Sequence, residues 1–276
     1  MSEQVWFVTG SSRGLGRAVV EEALVAGHRV VATARRPEVL ADLEEKYGDQ
    51  MRTLALDVSD AGQAARTVQA GLEAFGRLDV VVNNAGYANL APVEEVDPDD
   101  FRTQIETVFF GTVHVTKAAL PVFRRQGAGH FIQVTSIGGR MAFPGASAYH
   151  AAKFAVEGFS KVLAKETANL GVKVTIAEPG AMRTDYAGSS MDIPAHAPYY
   201  ADTVGEVATI LRSGLGQEPI DPAKVARVFL DIARMQEPPL HLVLGADAVD
   251  MISGGMRELA AADARWADLG HSVDFG

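Results

Sequence analysis

The stretch Val5-Trp6-Phe7-Val8-Thr9-Gly10-Ser11-Ser12-Arg13-Gly14-Leu15-Gly16 joins an apolar, β-branched run to a segment of helical period that continues to Ala26. An apolar run followed by glycines and then helical spacing predicts a buried strand, a tight turn and the start of a helix. Glycines let the backbone turn sharply and approach a ligand, while the first N–H groups of the helix are free and carry its positive dipole end. A pyrophosphate is the ligand that such a turn suits. The spacing is G-x-x-x-G-x-G rather than the commoner G-x-G-x-x-G. Glycine turns between strand and helix also arise for packing alone, so the place of this one at the first strand matters.

Moving outward, the same alternation repeats. Residues 5–9, 29–33, 52–56, 80–82, 130–135, 173–177 and 241–244 read as strands; 15–26, 37–46, 61–75, 98–125, 148–170 and 222–233 read as helices. Nearly continuous apolar strands alternating with helices predict an α/β, doubly wound parallel sheet of about seven strands with helices on both faces. Neither repeat nor linker interrupts it, so residues 1–276 are expected to form a single domain. Residues 181–218 break the rhythm with prolines, glycines and small side chains, and are expected to form a lid over the carboxyl ends of the strands, where open sheets of this kind bind ligands. Residues 246–276 form a C-terminal extension with six acids against Arg257 and Arg265, read as a solvated helix face. Its Trp266 and Phe275 are expected over the pocket or against another subunit.

Composition narrows the function. A net charge of −10 without a Lys/Arg run disfavours nucleic acid and anionic membrane surfaces as partners. There is no cysteine, so disulfides, thiolate catalysis and Cys-based zinc sites are excluded. The opening MSEQVWFVTG lacks a basic segment followed by a long apolar one, and no apolar run reaches the roughly 18 residues of a membrane helix. A cytoplasmic location is expected by default.

Cofactor choice should be written at the end of the second strand, where a carboxylate binds the 2′-OH of NAD and arginine accommodates the 2′-phosphate of NADP. Here Ala34 takes the acidic position and Arg35 follows, with Arg13 in the glycine turn. Two guanidinium groups fit NADP(H), although both arginines also suit an exposed loop. Asp57 is placed either to accept from an adenine amino group or to cap the helix after Val58. Further along, Tyr149 and Lys153 stand at i and i+4 on one helix face, and Ser136 ends the fifth strand. Free Tyr titrates near pH ~10, and a neighbouring ammonium should lower that value, making Tyr149 an acid/base. Ser136 is placed to donate to an oxygen on which negative charge develops.

The glycine turn T-G-S-S-R-G-L-G, Asn83-Asn84-Ala85-Gly86 after the fourth strand, the set Ser136, Tyr149 and Lys153, and Pro179-Gly180 with Thr184 after the sixth strand appear together and in order. In these features, spread over residues 4–245, the chain resembles the compact single-domain branch of the short-chain dehydrogenase/reductase family. The resemblance implies a Rossmann fold and hydride transfer to or from a carbonyl carbon, with Ser136 orienting the carbonyl and Tyr149 exchanging its proton. It implies cofactor contacts from Gly10, Ser12, Arg13, Gly14, Leu15, Gly16, Arg35, Asp57, Val58, Asn84, Ala85, Gly86, Tyr149, Lys153, Pro179, Gly180 and Thr184, with Lys153 on the nicotinamide ribose. A homodimer or homotetramer is the family's habit.

One position departs from the family. Val108 stands where the family usually has an asparagine that bends the helix and whose main-chain carbonyl holds a water linked to the active-site lysine. Either the distortion persists in Val108, or the helix straightens and the relay is lost. The departure motivates an alternative, a catalytically weak NADP(H)-binding sensor or scaffold. A dehydratase or epimerase would be expected to carry another glycine pattern and a larger C-terminal domain. The histidines lack metal-ligand spacing, so no metal is expected and structural roles are assigned to them, with His196 in the lid the one of interest. Tyr87, Phe143, Pro144, Met182, Tyr186, Met191, Ile193, Pro194, Tyr199 and Tyr200 are expected to line the pocket. Their character predicts a small hydrophobic ketone, aldehyde or secondary alcohol as substrate.

Overall fold

Every strand expected from the apolar runs forms, and all pair in parallel. In the computed structural model they are β1 (Val5–Val8), β2 (Arg29–Ala34), β3 (Met51–Ala55), β4 (Val80–Asn83), β5 (Gly129–Val134), β6 (Val172–Pro179) and β7 (His241–Leu244). Their order is β3-β2-β1-β4-β5-β6-β7, a doubly wound Rossmann sheet. Residues 3–186, 188 and 191–275 are described. Positions 1, 2 and 276 of the expected domain and 187, 189 and 190 of the expected lid lie outside the described residues.

Side chains alternate across the sheet with the period of two that strands impose. Trp6, Val8, Val30, Ala32, Val80, Val82 and Ile132 face a core built with α1 (Gly14–Val25) and α8 (Pro222–Arg234). Val5, Phe7, Val31, Val81 and Phe131 face a second core under α3 (Ala61–Phe75), α5 (Gly111–Gln126) and α6 (Ser147–Thr167). Both faces are covered, which is why the strands read as continuous apolar runs.

Three helices start on side-chain caps. Asp60 accepts from the Gln63 N–H at α3, Asp97 from Asp99 and Asp100 at α4 (Pro98–Ile105), and Asp221 from Ala223 at α8. The cap expected of Asp57 therefore belongs to Asp60; Asp57 instead accepts from the backbone and hydroxyl of Ser59. The helix expected over 98–125 is not continuous. A π-turn, Glu106–Phe110, separates α4 from α5, and the Gly111 N–H reaches back to the Glu106 carbonyl. Residues 37–46 likewise divide, a 3₁₀ turn (Pro37–Leu40) preceding α2 (Ala41–Tyr47).

The segment expected to be an irregular lid has structure of its own. Its base is stitched to the following chain by Arg183 N–H to the Ile220 carbonyl, 2.9 Å. Beyond it α7 (Glu206–Ser213) and the turns before it bury Val204 and Ala208 against Leu90. In the C-terminal extension, α9 (Ala246–Arg265) is anchored by buried Ala248 and Ile252 and is followed by α10 (Ala267–His271). Trp266 and Phe275 are exposed rather than folded over the cleft. Among the described residues no helix is long and apolar enough to cross a membrane.

Candidate active site

The sheet changes winding direction between β1 and β4, and the crevice outside their carboxyl ends is where such folds take ligands. The glycine turn lies there. Gly10 and Gly14 have φ of 66° and 56°, left-handed values that other residues rarely adopt. A Cβ on Gly16 would stand 2.2 Å from the Gly10 carbonyl oxygen and 2.5 Å from the Asn84 amide nitrogen, so no side chain fits. Asn84 donates to the Thr9 carbonyl at 3.0 Å, and the Thr9 hydroxyl accepts from the N–H groups of Asn84 and Ala85. The Asn84-Ala85 segment thus braces the glycine turn. Unlike α3, α4 and α8, α1 has no side-chain cap, leaving its first N–H groups to the cleft. Thr184 lies against Gly14, with its Cβ 3.4 Å from a Cβ built there. These features fit a dinucleotide pyrophosphate.

Ala34 is buried at the end of β2, and Arg35 and Arg36 project into solvent just beyond it. No carboxylate occupies the position that would select a ribose 2′-OH. Arg13 is exposed and pairs with Asp185 at 3.0 Å, linking the glycine turn to the lid. An exposed pair of this kind is worth ~0–1 kcal/mol, so its cation can exchange partners cheaply.

At the catalytic end, α6 carries Tyr149 and Lys153 on one face, with the Lys153 ammonium 5.5 Å from the Tyr149 ring centroid. Lys153 is buried and donates to the Val134 carbonyl at 2.7 Å. Burial pushes its ammonium down to about 8, against an upward pull from Glu157 one turn on. The Ser136 hydroxyl, which donates to the Pro179 carbonyl at 3.5 Å, and the lid residue Tyr186 both pull Tyr149 towards its ionised form, but burial outweighs them and raises Tyr149 above its ordinary value. This corrects the expectation of a net lowering by Lys153. Desolvation of the phenolate is the larger effect here.

The Ser136 loop is held at several points. The Ser136 hydroxyl oxygen accepts the Gly138 N–H at 3.1 Å. Arg140 donates to the fully buried Glu178 at 2.7 Å, and His241 and Glu178 approach to 2.6 Å. Glu157, whose other oxygen accepts from Thr135, is pushed up by burial and by Glu178. Glu157, Glu178 and His241 bring one ligand atom each within 4.8 Å of one another. Arg140 already supplies the positive charge at Glu178, so the group serves as an ion-pair anchor beneath the loop. Arg140, Glu157 and Glu178 carry no motif in the sequence; the i+4 step from Lys153 to Glu157 is their one visible signal.

Val108 keeps the bend. It is buried in the π-turn, its carbonyl accepts from the Thr112 hydroxyl at 2.9 Å, and its Cγ2 lies 3.4 Å from a Cβ built on Gly86. That same Gly86 Cβ would lie 3.9 Å from the Lys153 ammonium nitrogen. Packing replaces the missing amide. Gly111 abuts Val58, where a Cβ would stand 2.5 Å from the Val58 side chain, and Phe109 meets Phe159 of α6 edge-on at 6.4 Å.

Of the expected pocket residues, Tyr186 reaches Tyr149 directly, their ring centroids 5.7 Å apart. Phe143 lies 5.5 Å from the ring of His150, beside Tyr149. Tyr87 has its hydroxyl raised by burial and by Asp100, with Arg35 pulling it down. Met182 packs on the sheet core, and Met191, Ile193 and Tyr200 on the small core under the lid. Tyr199 does not join the site: it is 72% exposed and donates to Glu94 on the outer surface. His196 abuts Gly205 within the lid.

Comparison with known proteins agrees with this geometry. A family profile described as short chain dehydrogenase matches residues 4–193. "Oxidoreductase BOA17" of Botryotinia fuckeliana is 50% identical over 267 residues, covering 96% of this chain and 97% of that protein. A short-chain dehydrogenase from Streptomyces avermitilis has a crystal structure that superposes with a TM-score of 0.93 at 38% identity, covering 99% of this chain and all of the other. A serine dehydrogenase complexed with NADP+ superposes with a TM-score of 0.76 at 26% identity, covering 87% and 94% of the two chains. Other solved neighbours of the same fold hold NAD or NADH.

Proposed function

The chain belongs to the short-chain dehydrogenase family of oxidoreductases, and from that premise we propose that it is an NADP(H)-dependent carbonyl reductase or alcohol dehydrogenase acting on small hydrophobic ketones, aldehydes or secondary alcohols. The observation that carries this reading is the placement of the Ser136 and Tyr149 hydroxyls beside Lys153, whose ammonium lies next to Gly86 at the end of the Asn84-Ala85 segment that braces the glycine turn. Gly10, Ser12, Arg13, Gly14, Leu15 and Gly16 would hold the pyrophosphate, with Arg35 at the 2′-phosphate and Asp57 and Val58 at the adenine. Gly86, Pro179, Gly180 and Thr184 would hold the nicotinamide half, while Asn84 and Ala85 act by bracing the turn. When bound, NADP(H) donates or accepts the hydride.

This chain's residues manage the proton. Tyr149, kept protonated at neutral pH by burial, gives its proton to the carbonyl oxygen as negative charge develops there. Ser136 donates a hydrogen bond to the same oxygen. Lys153, with its ammonium near the Tyr149 ring, stabilises the phenolate that remains and is placed to bind ribose hydroxyls, which fixes acid and cofactor together. The persistent π-turn at Val108 supports a working relay over the sensor or scaffold alternative. The apolar side chains of Phe143 and the lid support an uncharged substrate.

The test is oxidation of NADPH with a panel of aryl and alkyl ketones, with NADH as control and Tyr149→Phe as blank. Turnover with NADPH that the blank lacks is expected. NADPH binding without turnover of any ketone, aldehyde or alcohol in the panel would overturn the assignment.

A further inference from the structure

His150 sits inside the Tyr149–Lys153 spacing but is turned away from the reacting atoms, and the proposed chemistry makes no use of it. The residue is buried, 7% exposed, and both ring nitrogens are engaged. Nδ1 lies 2.8 Å from the Gly138 carbonyl, which can only accept, so Nδ1 carries the proton. Nε2 lies 3.1 Å from the Phe143 N–H, which can only donate, so Nε2 must present a bare lone pair. One tautomer satisfies both, and the cation satisfies only one. Burial lowers the ring's affinity for a second proton, keeping it neutral. The sequence has made room for it, since a Cβ on Gly138 would stand 2.7 Å from the ring.

The two bonds lead to different parts of the site. Gly138, gripped through its carbonyl, donates its N–H to the Ser136 hydroxyl oxygen at 3.1 Å. That contact occupies a lone pair of Ser136 and sets the hydroxyl so that its proton reaches the Pro179 carbonyl at 3.5 Å, a long bond that a substrate carbonyl oxygen can replace. Phe143, gripped through its N–H, presents its side chain beside the cleft, and the imidazole packs between that ring at 5.5 Å and the Tyr149 ring at 5.8 Å.

We infer that His150 is a positioning residue, a neutral Nδ1–H imidazole that latches the 136–143 loop to the catalytic helix, orienting the Ser136 hydroxyl through Gly138 and fixing the Phe143 wall of the substrate cleft. The inference deepens the carbonyl-reductase reading and rests on it for its kinetic consequences; the tautomer and the latch stand apart from it. Protonation in acid would set an Nε2–H against the Phe143 N–H and release that end of the loop. The titratable group against the ring is Tyr149 on its own helix, with Tyr186 from the lid packed beyond Tyr149. Glu157 and Glu178 lie beneath the loop at Gly139 and Arg140.

Two substitutions divide the latch. In His150→Asn the amide nitrogen takes the place of Nδ1 and keeps the Gly138 bond; in His150→Gln the amide oxygen takes the place of Nε2 and keeps the Phe143 bond. The Asn variant is expected to raise KM for a hydrophobic ketone about tenfold with kcat nearly kept, and the Gln variant to lower kcat about tenfold with KM nearly kept. Amide hydrogen exchange at Phe143 should accelerate in the Asn variant and stay slow in the Gln variant, a readout that needs no turnover. Long-range ¹H–¹⁵N spectra of the unaltered protein at pH 7 should show His150 protonated at Nδ1 alone. An Nε2–H tautomer, a cation at pH 7, or Phe143 exchange that is equal in the two variants overturns the inference. If the unaltered protein binds NADPH but turns over nothing, the reductase reading falls while spectra and exchange still decide the latch.

Discussion

Replacing Val108 by asparagine, the residue its family usually has there, separates two accounts of the bent helix. If the amide were the missing part of a relay, Val108→Asn would raise turnover. The packing predicts otherwise. The π-turn is already formed, the Val108 carbonyl is already where the turn places it, and Gly111 against Val58 and Phe109 against Phe159 hold it there. Asparagine would exchange a side chain that is 1% exposed for a polar one of similar size. Losing Val burial removes roughly 1.5–3 kcal/mol, and an amide left without a partner adds about 1–3 kcal/mol more. A central value near 4 kcal/mol, set against an unfolding entropy of about 0.6 kcal/mol/K for 276 residues, lowers Tm by about 7 °C. The assays are calorimetric Tm and NADPH-dependent kcat/KM for both proteins. Expected are a lower Tm and a kcat/KM within about twofold of the starting protein. A gain of fivefold or more, or an unchanged Tm, would refute the claim that packing has taken over the work of the amide.

The other predictions concern cofactor, proton and stability. Arg35→Ala should weaken NADPH binding by about 10–100-fold, the worth of one charge-assisted contact, and leave NADH nearly unaffected; calorimetric titration with both cofactors checks it, and equal losses would count against a 2′-phosphate at Arg35. Tyr186→Phe removes a hydrogen bond that favours the Tyr149 phenolate, so the pH profile of alcohol oxidation should move upward with a loss of about fivefold at neutral pH; an unmoved profile would remove Tyr186 from the site. His130, buried against the Thr175 hydroxyl, is held down to about 3, below its unfolded value of 6.5. The unfolded chain therefore takes up the extra proton first, and stability is lost as pH falls from 6.5 towards 3, by about 2 kcal/mol at pH 5. Urea midpoints at pH 7.5 and 5.0 should fall further for the unaltered protein than for His130→Gln, and equal falls would contradict the reading.

What was legible in the sequence was whatever local pattern controls. Strand positions follow from apolar runs with both faces buried, and each of the seven was found to within two residues at its ends. The glycine turn could be read because left-handed φ and forbidden Cβ space leave glycine as the residue that fits at Gly10, Gly14 and Gly16. Tyr149 and Lys153 could be read because helical spacing puts them on one face. What stayed hidden depends on contacts between distant elements. The π-turn is invisible to a 3.6-residue period, because Val58, Gly86 and Phe159 impose it from outside. Lid residues 198–213 looked irregular because their apolar positions serve a small core shared with Leu90, far back in the chain. Tyr199 was assigned to the pocket on residue type, and type cannot tell an inward ring from one that faces Glu94.

The hidden contacts also bear on which way the proton moves. Ser136 and Tyr186 both pull Tyr149 towards its ionised form, yet burial keeps its hydroxyl above the ordinary value, while burial brings Lys153 down to about 8. The two shifts oppose charge on both groups, so near neutral pH the phenol is protonated and the lysine is close to losing its proton. A protonated phenol suits giving a proton to a carbonyl oxygen; alcohol oxidation needs the phenolate first and is favoured as pH rises. On the proposed chemistry the same cleft therefore favours carbonyl reduction at neutral pH, where the Lys153 ammonium is still present to stabilise the phenolate left behind. Tyr186 is the part of that balance that belongs to the lid. Its hydroxyl is raised well above the ordinary value by burial and by Tyr149, so it stays a donor throughout.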